Sequence, residues 1–134
     1  MHRATLDEDA LAFVRERHLA TLTTTLPSGA LHVCAVGFTF DPDANVVRVI
    51  TSDRSRKVRN VESVTNARAA VGQVDGPRWL SLEGPARVLR TPAAVADAVA
   101  RYEQRYRAPR ANPARVVIEI AVERVLGRAT PSVG

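Results

Sequence analysis

The spacing of hydrophobic positions changes several times along this chain, and each change marks an element. Thr5-Leu6-Asp7-Glu8 reads as a capping box with Thr5 as N-cap. Leu11, Val14 and the 17/18 turn then recur at helical spacing, which predicts a helix over about residues 6–17. Leu19 to Leu26, rich in Thr and Leu, reads as a strand. Pro27-Ser28-Gly29 is a turn signal, and Leu31 to Phe40 follows as a second strand, closing a hairpin. That second strand is apolar on both faces. One face can fill a barrel; the other needs a helix, a partner subunit or a flat ligand to cover it.

The turn Asp41-Pro42-Asp43-Ala44-Asn45 leads to a third strand, Val46 to Ser52, and then to a short basic helix over about 55–63. Ala67 to Val74 is a fourth strand. Asp75-Gly76-Pro77 turns it into a fifth, Arg78 to Leu89, where Leu80 and Leu82 alternate with Ser81 and Glu83. Thr91-Pro92 opens another helix as N-cap and first-turn proline, with Val95, Val99, Tyr102 and Tyr106 along one stripe. A Pro-containing basic loop, Arg107 to Arg115, precedes a last strand, Val116 to Leu126. The order α-β-β-β-α-β-β-α-β predicts an α+β fold built on a six-stranded, mostly antiparallel small barrel. The whole chain, 1–134, is expected to be one domain, with an ordered core over 5–127 and a frayed tail over 128–134.

Composition narrows the function more by exclusion than by assertion. Aromatics make up 4% of the chain, so Val, Leu, Ile and Ala must build the core. The net charge of +5 favours anionic partners. The arginines are scattered, without zinc-finger spacing or an aromatic RNP motif, which speaks against nucleic acid. The single cysteine, Cys34, excludes an intrachain disulfide and sits in an apolar run as a small hydrophobe. No leader or membrane-length run is evident, so a soluble cytoplasmic protein is the default expectation. His2, His18 and His32 do not cluster, and no metal-ligand spacing is present. There is no P-loop, nucleophile elbow or dinucleotide-binding glycine motif. Without a nucleophile or metal, catalysis would borrow its reactivity from an organic cofactor.

One segment carries positive chemistry. Lys57, the only lysine among 19 basic residues, lies in Ser55-Arg56-Lys57-Val58-Arg59-Asn60. A strand turning into a basic helix can hold a phosphate on helix-start N–H groups. From spacing alone the segment serves equally well as a solvated helix face.

Longer matches run from the first helix to the last strand. They include Ala10-Leu11-Ala12-Phe13 with Arg17-His18-Leu19-Ala20, and His32-Val33 with Ala35-Val36-Gly37-Phe38-Thr39-Phe40-Asp41-Pro42. Arg48-Val49-Ile50-Thr51, Gln73-Val74-Asp75-Gly76 and Arg78-Trp79-Leu80-Ser81-Leu82-Glu83-Gly84 continue the series. Gln104-Arg105-Tyr106-Arg107 and Arg115-Val116-Val117-Ile118-Glu119 close it. In this order and spacing the chain resembles the split-barrel flavin and deazaflavin oxidoreductases, which share the FMN-binding fold of pyridoxamine-phosphate oxidase. More narrowly it resembles the actinobacterial F420-dependent biliverdin reductases.

That resemblance implies an antiparallel split β-barrel and a homodimer with two cofactor sites where the barrels meet. It implies coenzyme F420 as cofactor, with FMN as the alternative on the same fold. It assigns Lys57 and Arg56 to the cofactor phosphate, with Ser55 and Asn60 as polar helpers and Thr51 and Ser52 beside them. Val36 and Gly37 would lie against the deazaflavin ring, Gly37 because a planar ring can approach where no side chain stands. Gln73 and Val74 would lie near the ring edge. Trp79 serves either as an interface or core anchor or as a cofactor-lining residue. Arg107 and Arg110 would meet substrate carboxylates, although the same loop reads more readily as a solvated turn. Tyr102 and Tyr106 read as core. The implied reaction is hydride transfer to biliverdin, giving bilirubin, with no catalytic side chain and a proton from solvent. Another acceptor, such as a quinone or unsaturated lactone, and a non-catalytic flavin, deazaflavin or tetrapyrrole binder remain open alternatives. The chain stops soon after Leu126-Gly127, without the C-terminal Arg and His that grip pyridoxamine phosphate, so that oxidase activity is not expected.

Overall fold

In the computed structural model, which describes residues 4–131, three helices and eight strands follow the order α1-β1-β2-β3-β4-α2-β5-β6-α3-β7-β8. α1 (Glu8–Arg15) begins where the Asp7 carboxylate accepts from Ala10 N–H at 2.8 Å. The predicted cap at Thr5 is therefore corrected to Asp7. A carboxylate caps better than a threonine hydroxyl and adds negative charge at the positive end of the helix dipole, as do Glu8 and Asp9. α1 buries Ala10, Phe13 and Val14.

The sheet contains eight strands rather than the six expected, because two predicted strands each break in the middle. Leu31 to Phe40 divides into β2 (Leu31–Val36), paired with β1 (Ala20–Thr25), and β3 (Thr39–Asp41), paired with β4 (Val46–Ser52). The last strand divides into β7 (Arg115–Ala121), beside β4, and β8 (Arg124–Arg128), beside β6 (Arg78–Leu89). Between β7 and β8, Val122 N–H bonds to Asn45 O and Glu123 N–H to Glu83 O, so the break itself is hydrogen-bonded. β8 reaches Arg128 and Ala129 is buried, so order extends past the expected fraying point; residues 132–134 lie outside those described.

The main path is β2-β1-β5-β6-β7-β4-β3, where β5 is Arg68–Asp75. All pairings are antiparallel, and no pairing joins β2 to β3 among the described residues, so the barrel is split. β6 belongs to both halves: Arg78 to Pro85 pair with β5, and Ala86 to Leu89 pair with β7. Gly84 makes that crossing sterically possible. A Cβ there would stand 1.7 Å from Ala121 O.

Phe13, Leu22, Phe38, Leu82, Ile118 and Ile120 fill the interior. α2 (Arg56–Ser63) packs on β1 and β6; α3 (Pro92–Arg105) packs on β3, β4 and β7. A charge network ties α3 to the sheet. Arg48 donates to Asp41 at 2.9 Å, Arg101 meets Asp41 at 3.2 Å, and Arg87 meets Glu119 at 2.8 Å. Burial pushes the Asp41 carboxyl up, but the Arg48 hydrogen bond, the Ala44 N–H and the nearby guanidinium charges outweigh it, so its pKa lies below the usual carboxylate range.

The outward face of β2 stays bare. Leu31 and Val33 are exposed, as are Leu19, Val74, Trp79 and Leu126. The register β2-β1-β5-β6-β8 carries this face across one half of the sheet. Among the described residues, no helix is long and apolar enough to cross a membrane.

Candidate functional site

Five residues expected from the sequence meet in one groove. A cavity of about 310 Å³ is lined by Val36, Gly37, Thr51, Ser52 and Lys57. These come from the end of β2, the end of β4 and the first turn of α2. β4 delivers Thr51 and Ser52 to the mouth because its pairing with β7 runs out there, at Ser52 opposite Arg115. The chain then turns over Ser55, whose N–H bonds back to Ser52 O, and enters α2.

The entry of α2 is under-satisfied. Ser55 occupies the N-cap position but its side chain makes no cap bond, and its hydroxyl instead accepts from Thr51 Oγ1 at 3.1 Å. No acidic residue lies in the first turn, where Arg56 and Lys57 stand. Both cations oppose the helix dipole, an arrangement that costs roughly 0.3–1 kcal/mol each unless an anion is present. Neither makes an ion pair or hydrogen bond among the described residues. This donor set fits a phosphate: Lys57, Arg115 and the hydroxyls of Thr51 and Ser52 line the groove at the uncapped start of α2, and no carboxylate lines it.

Other expected site residues lie elsewhere. Asn60 turns inward, is buried, and donates its amide to Thr24 Oγ1 at 3.0 Å, so it braces α2 against β1 rather than facing the groove. Arg56 is exposed beside the groove, and Ser55 supports Thr51. Gln73 is buried as a strut: it donates to Phe13 O at 2.9 Å and accepts from Arg105 at 2.6 Å. Val74 and Trp79 are cross-strand partners on the bare outer face, away from the groove of their own chain. His32 is half-buried, with a buried Nδ1 that has no partner among the described residues. Cys34 is half-buried against the core.

Gly37 needs to lack a side chain for a different reason than expected. A Cβ on it would come within 3.0 Å of the Tyr106 ring and 3.1 Å of the Tyr102 ring. The space above this glycine is taken by tyrosines of the same chain. Their rings pack 4.8 Å apart, tilted by 35°. Tyr106 is the anchored member, donating its hydroxyl to His18 O at 2.7 Å, and burial raises its pKa.

Sequence reasoning placed Tyr102 in the core, yet it lines the groove, with Asn112 and Arg115. Asn112 donates to Ser52 Oγ at 2.8 Å, orienting that hydroxyl. The signal for Asn112 was weak: one Asn in a Pro-rich loop, brought home only by the β4–β7 register. Arg107 and Arg110 line a neighbouring cavity of about 390 Å³ that shares Tyr102 and Pro109 with the groove. The two cavities therefore adjoin across one aromatic wall.

A second cluster, Glu16, His18 and Asp75, has the composition of a metal site, with ligand atoms within 4.8 Å of one another. Arg78 already occupies it. Its guanidinium bonds both Glu16 oxygens and Asp75, and the Arg78 hydrogen bond holds the Glu16 carboxyl below its usual range.

The family model described as pyridoxamine 5'-phosphate oxidase matches residues 6–129. An F420H(2)-dependent biliverdin reductase of Mycobacterium tuberculosis (strain CDC 1551 / Oshkosh) is 56% identical over 124 residues, covering 92% of this chain and 89% of the relative. Among solved structures, an F420 reductase superposes with a TM-score of 0.72 at 22% identity, over 90% of this chain and 98% of that one. A conserved hypothetical protein of Mycobacterium tuberculosis superposes with a TM-score of 0.75, also at 22% identity, over 100% of this chain and 97% of that one.

Proposed function

The chain belongs to the pyridoxamine 5'-phosphate oxidase family, and we propose that it is an F420H2-dependent reductase that reduces biliverdin to bilirubin. The observation that carries this reading is the 56% identity to a biliverdin reductase over nearly the whole domain, joined to a groove whose donors suit a phosphorylated cofactor.

Lys57, the α2 N–H groups, Thr51 and Ser52 hold the cofactor phosphate in this reading, with Arg56 at the rim. Val36 and the Gly37 backbone support the ring. When bound, the reduced deazaflavin supplies a hydride from its C5 carbon. The residues of this chain then have three tasks. They fix the ring against the acceptor, since near-attack geometry is the main catalytic lever where no side chain reacts. They hold the acceptor's carboxylates, a role suited to Arg107 and Arg110 across the Tyr102 wall. They admit the proton: no carboxylate or imidazole lines the groove, so it comes from solvent.

The bare face of β2, β1, β5, β6 and β8 supports a homodimer, in which Trp79 and Val74 of one subunit approach the groove of the other. Scattered apolar residues are ordinary on a protein surface. A sheet face that presents Leu31, Val33, Val74, Trp79 and Leu126 together is the type that a second copy covers.

One preparation tests both parts. Purified protein, sized by sedimentation, should run at about twice 14.5 kDa. Mixed with reduced F420 and biliverdin, it should oxidise the cofactor as bilirubin appears, while FMN or NADPH as donor gives no turnover. F420 binding without turnover would retain the cofactor and discard biliverdin. Absence of F420 binding would discard the assignment, and a monomer would discard the interface.

A further inference from the structure

α3 separates two kinds of cavity. Tyr102 on one flank lines the groove described above; Arg101, Gln104 and Arg105 on the other flank line a cavity of about 370 Å³ between α1, β3 and α3. Nothing in the proposed redox reaction uses this second cavity. Its apolar surface comes from Val14, Phe40 and Pro42, and three arginines but no carboxylate line it.

The three arginines differ in how their charge is met. Arg101 is neutralised by Asp97 at 3.1 Å and Asp41 at 3.2 Å. Arg105 is half-buried and bonded only to neutral oxygens: Glu16 O at 2.9 Å, Gln73 Oε1 at 2.6 Å, His18 O at 3.4 Å and Phe38 O. Burial lowers its pKa, since no carboxylate bonds to it. Arg15, at the last turn of α1, makes no hydrogen bond or ion pair among the described residues. The other well-buried arginines, Arg48 and Arg78, each have carboxylate partners. The cavity thus carries one cation, Arg15, with no partner among the described residues, next to an apolar wall and beside Arg105, whose donors are held by protein oxygens.

We propose that this cavity binds an amphipathic carboxylate, with the anion at Arg15 and the apolar body on Val14, Phe40 and Pro42. Its volume lies at the lower end of small-molecule sites, roughly 300–1,000 Å³. It therefore suits one ring with a short carboxylate arm rather than a tetrapyrrole. The site is independent of the cofactor groove, so its test does not depend on that assignment.

The test is a titration of the isotope-labelled protein with 3-phenylpropionate, followed by amide NMR, with 3-phenylpropan-1-ol and inorganic phosphate as comparators. The acid should give saturable shifts centred on Val14, Thr39 and Gln104, the alcohol none at the same concentration, and phosphate much weaker ones. Arg15→Glu, at an exposed position, should weaken the acid by roughly tenfold or more. Gln104→Glu, exposed on the facing helix, should weaken it as well. The proposal falls if shifts centre on Lys57 and Thr51, if they fail to saturate, or if phosphate matches the acid. It falls equally if Arg15→Glu leaves the dissociation constant unchanged in a protein whose spectrum shows it folded.

Discussion

The last turn of α3 and the first turn of α2 are both basic, and they are built in opposite ways. At the end of α3, Arg105 places its guanidinium among four oxygen acceptors on three segments, over the Phe38 and Tyr106 rings at 4.6 and 4.9 Å. The cation is at the helix end where the dipole favours it. At the start of α2, Arg56 and Lys57 stand where the dipole opposes them and find no protein partner among the described residues. One basic turn holds the fold together; the other carries local electrostatic cost and is available to a ligand. Charge alone does not separate a strut from a site, but the state of each donor does.

The sharpest way to break this contrast is to remove the strut. Arg105→Ala deletes its bonds and leaves Gln73 Oε1 without its donor. Hydrogen bonds to charged groups are worth about 1.5–3 kcal/mol each, and several are lost together. A loss of about 3–5 kcal/mol is expected from urea denaturation, a large share of a small domain's stability. Arg105→Lys should recover little, because an ammonium cannot span the same fork of acceptors. A change below about 1 kcal/mol in the alanine variant would show that the clasp is not what fixes α3.

Lys57→Ala tests the other side. Stability should stay within about 0.5 kcal/mol of the parent, and any change should be a gain, because a charge that opposes the dipole is removed. F420 affinity should fall by about 1.5–3 kcal/mol, the value of one charge-assisted contact. A variant that loses stability as well as affinity would make Lys57 a structural residue and erase the contrast. Unchanged affinity would remove the phosphate assignment.

How far the sequence revealed these roles depended on what each residue's role rests on. The strands were legible because alternation and turn residues are local. The two breaks were not, because Gly37-Phe38 and Val122-Glu123 turn the chain only where it must pass between half-sheets, and nothing local marks that change of partner. Lys57 was legible in a basic strand-to-helix turn, Thr51 and Ser52 came from the family resemblance, and the three line one groove. Asn60 was placed beside the phosphate by the resemblance, and its actual partner, Thr24, 36 positions away, is not visible locally. Gln73 and Arg105 formed a pair visible only after β5 and α3 met. Tyr102 was misplaced because a helical aromatic stripe looks the same whether it meets a core or a groove.

The smallest effect expected distinguishes the middle of α3 from its end. The middle is held by titratable partners, Arg101 to Asp41 and Asp97, while the Arg105 clasp rests on neutral oxygens. The folded-state pKa of Asp41 is depressed, so its contribution is complete above the ordinary aspartate range and is lost as pH falls through the folded value. Amide exchange along α3, read as protection after correction for intrinsic rates, should therefore weaken by a few-fold near Asp97–Arg101 once pH falls below the ordinary aspartate range, before it weakens at Gln104–Tyr106. Asp41→Asn should show the weakened middle already at neutral pH and remove most of its acid sensitivity. Uniform loss along the helix would mean that α3 opens as one unit. The clasp and the ion pairs would then be one attachment, and the difference between a charged end and a titratable middle would have no consequence for how the helix moves.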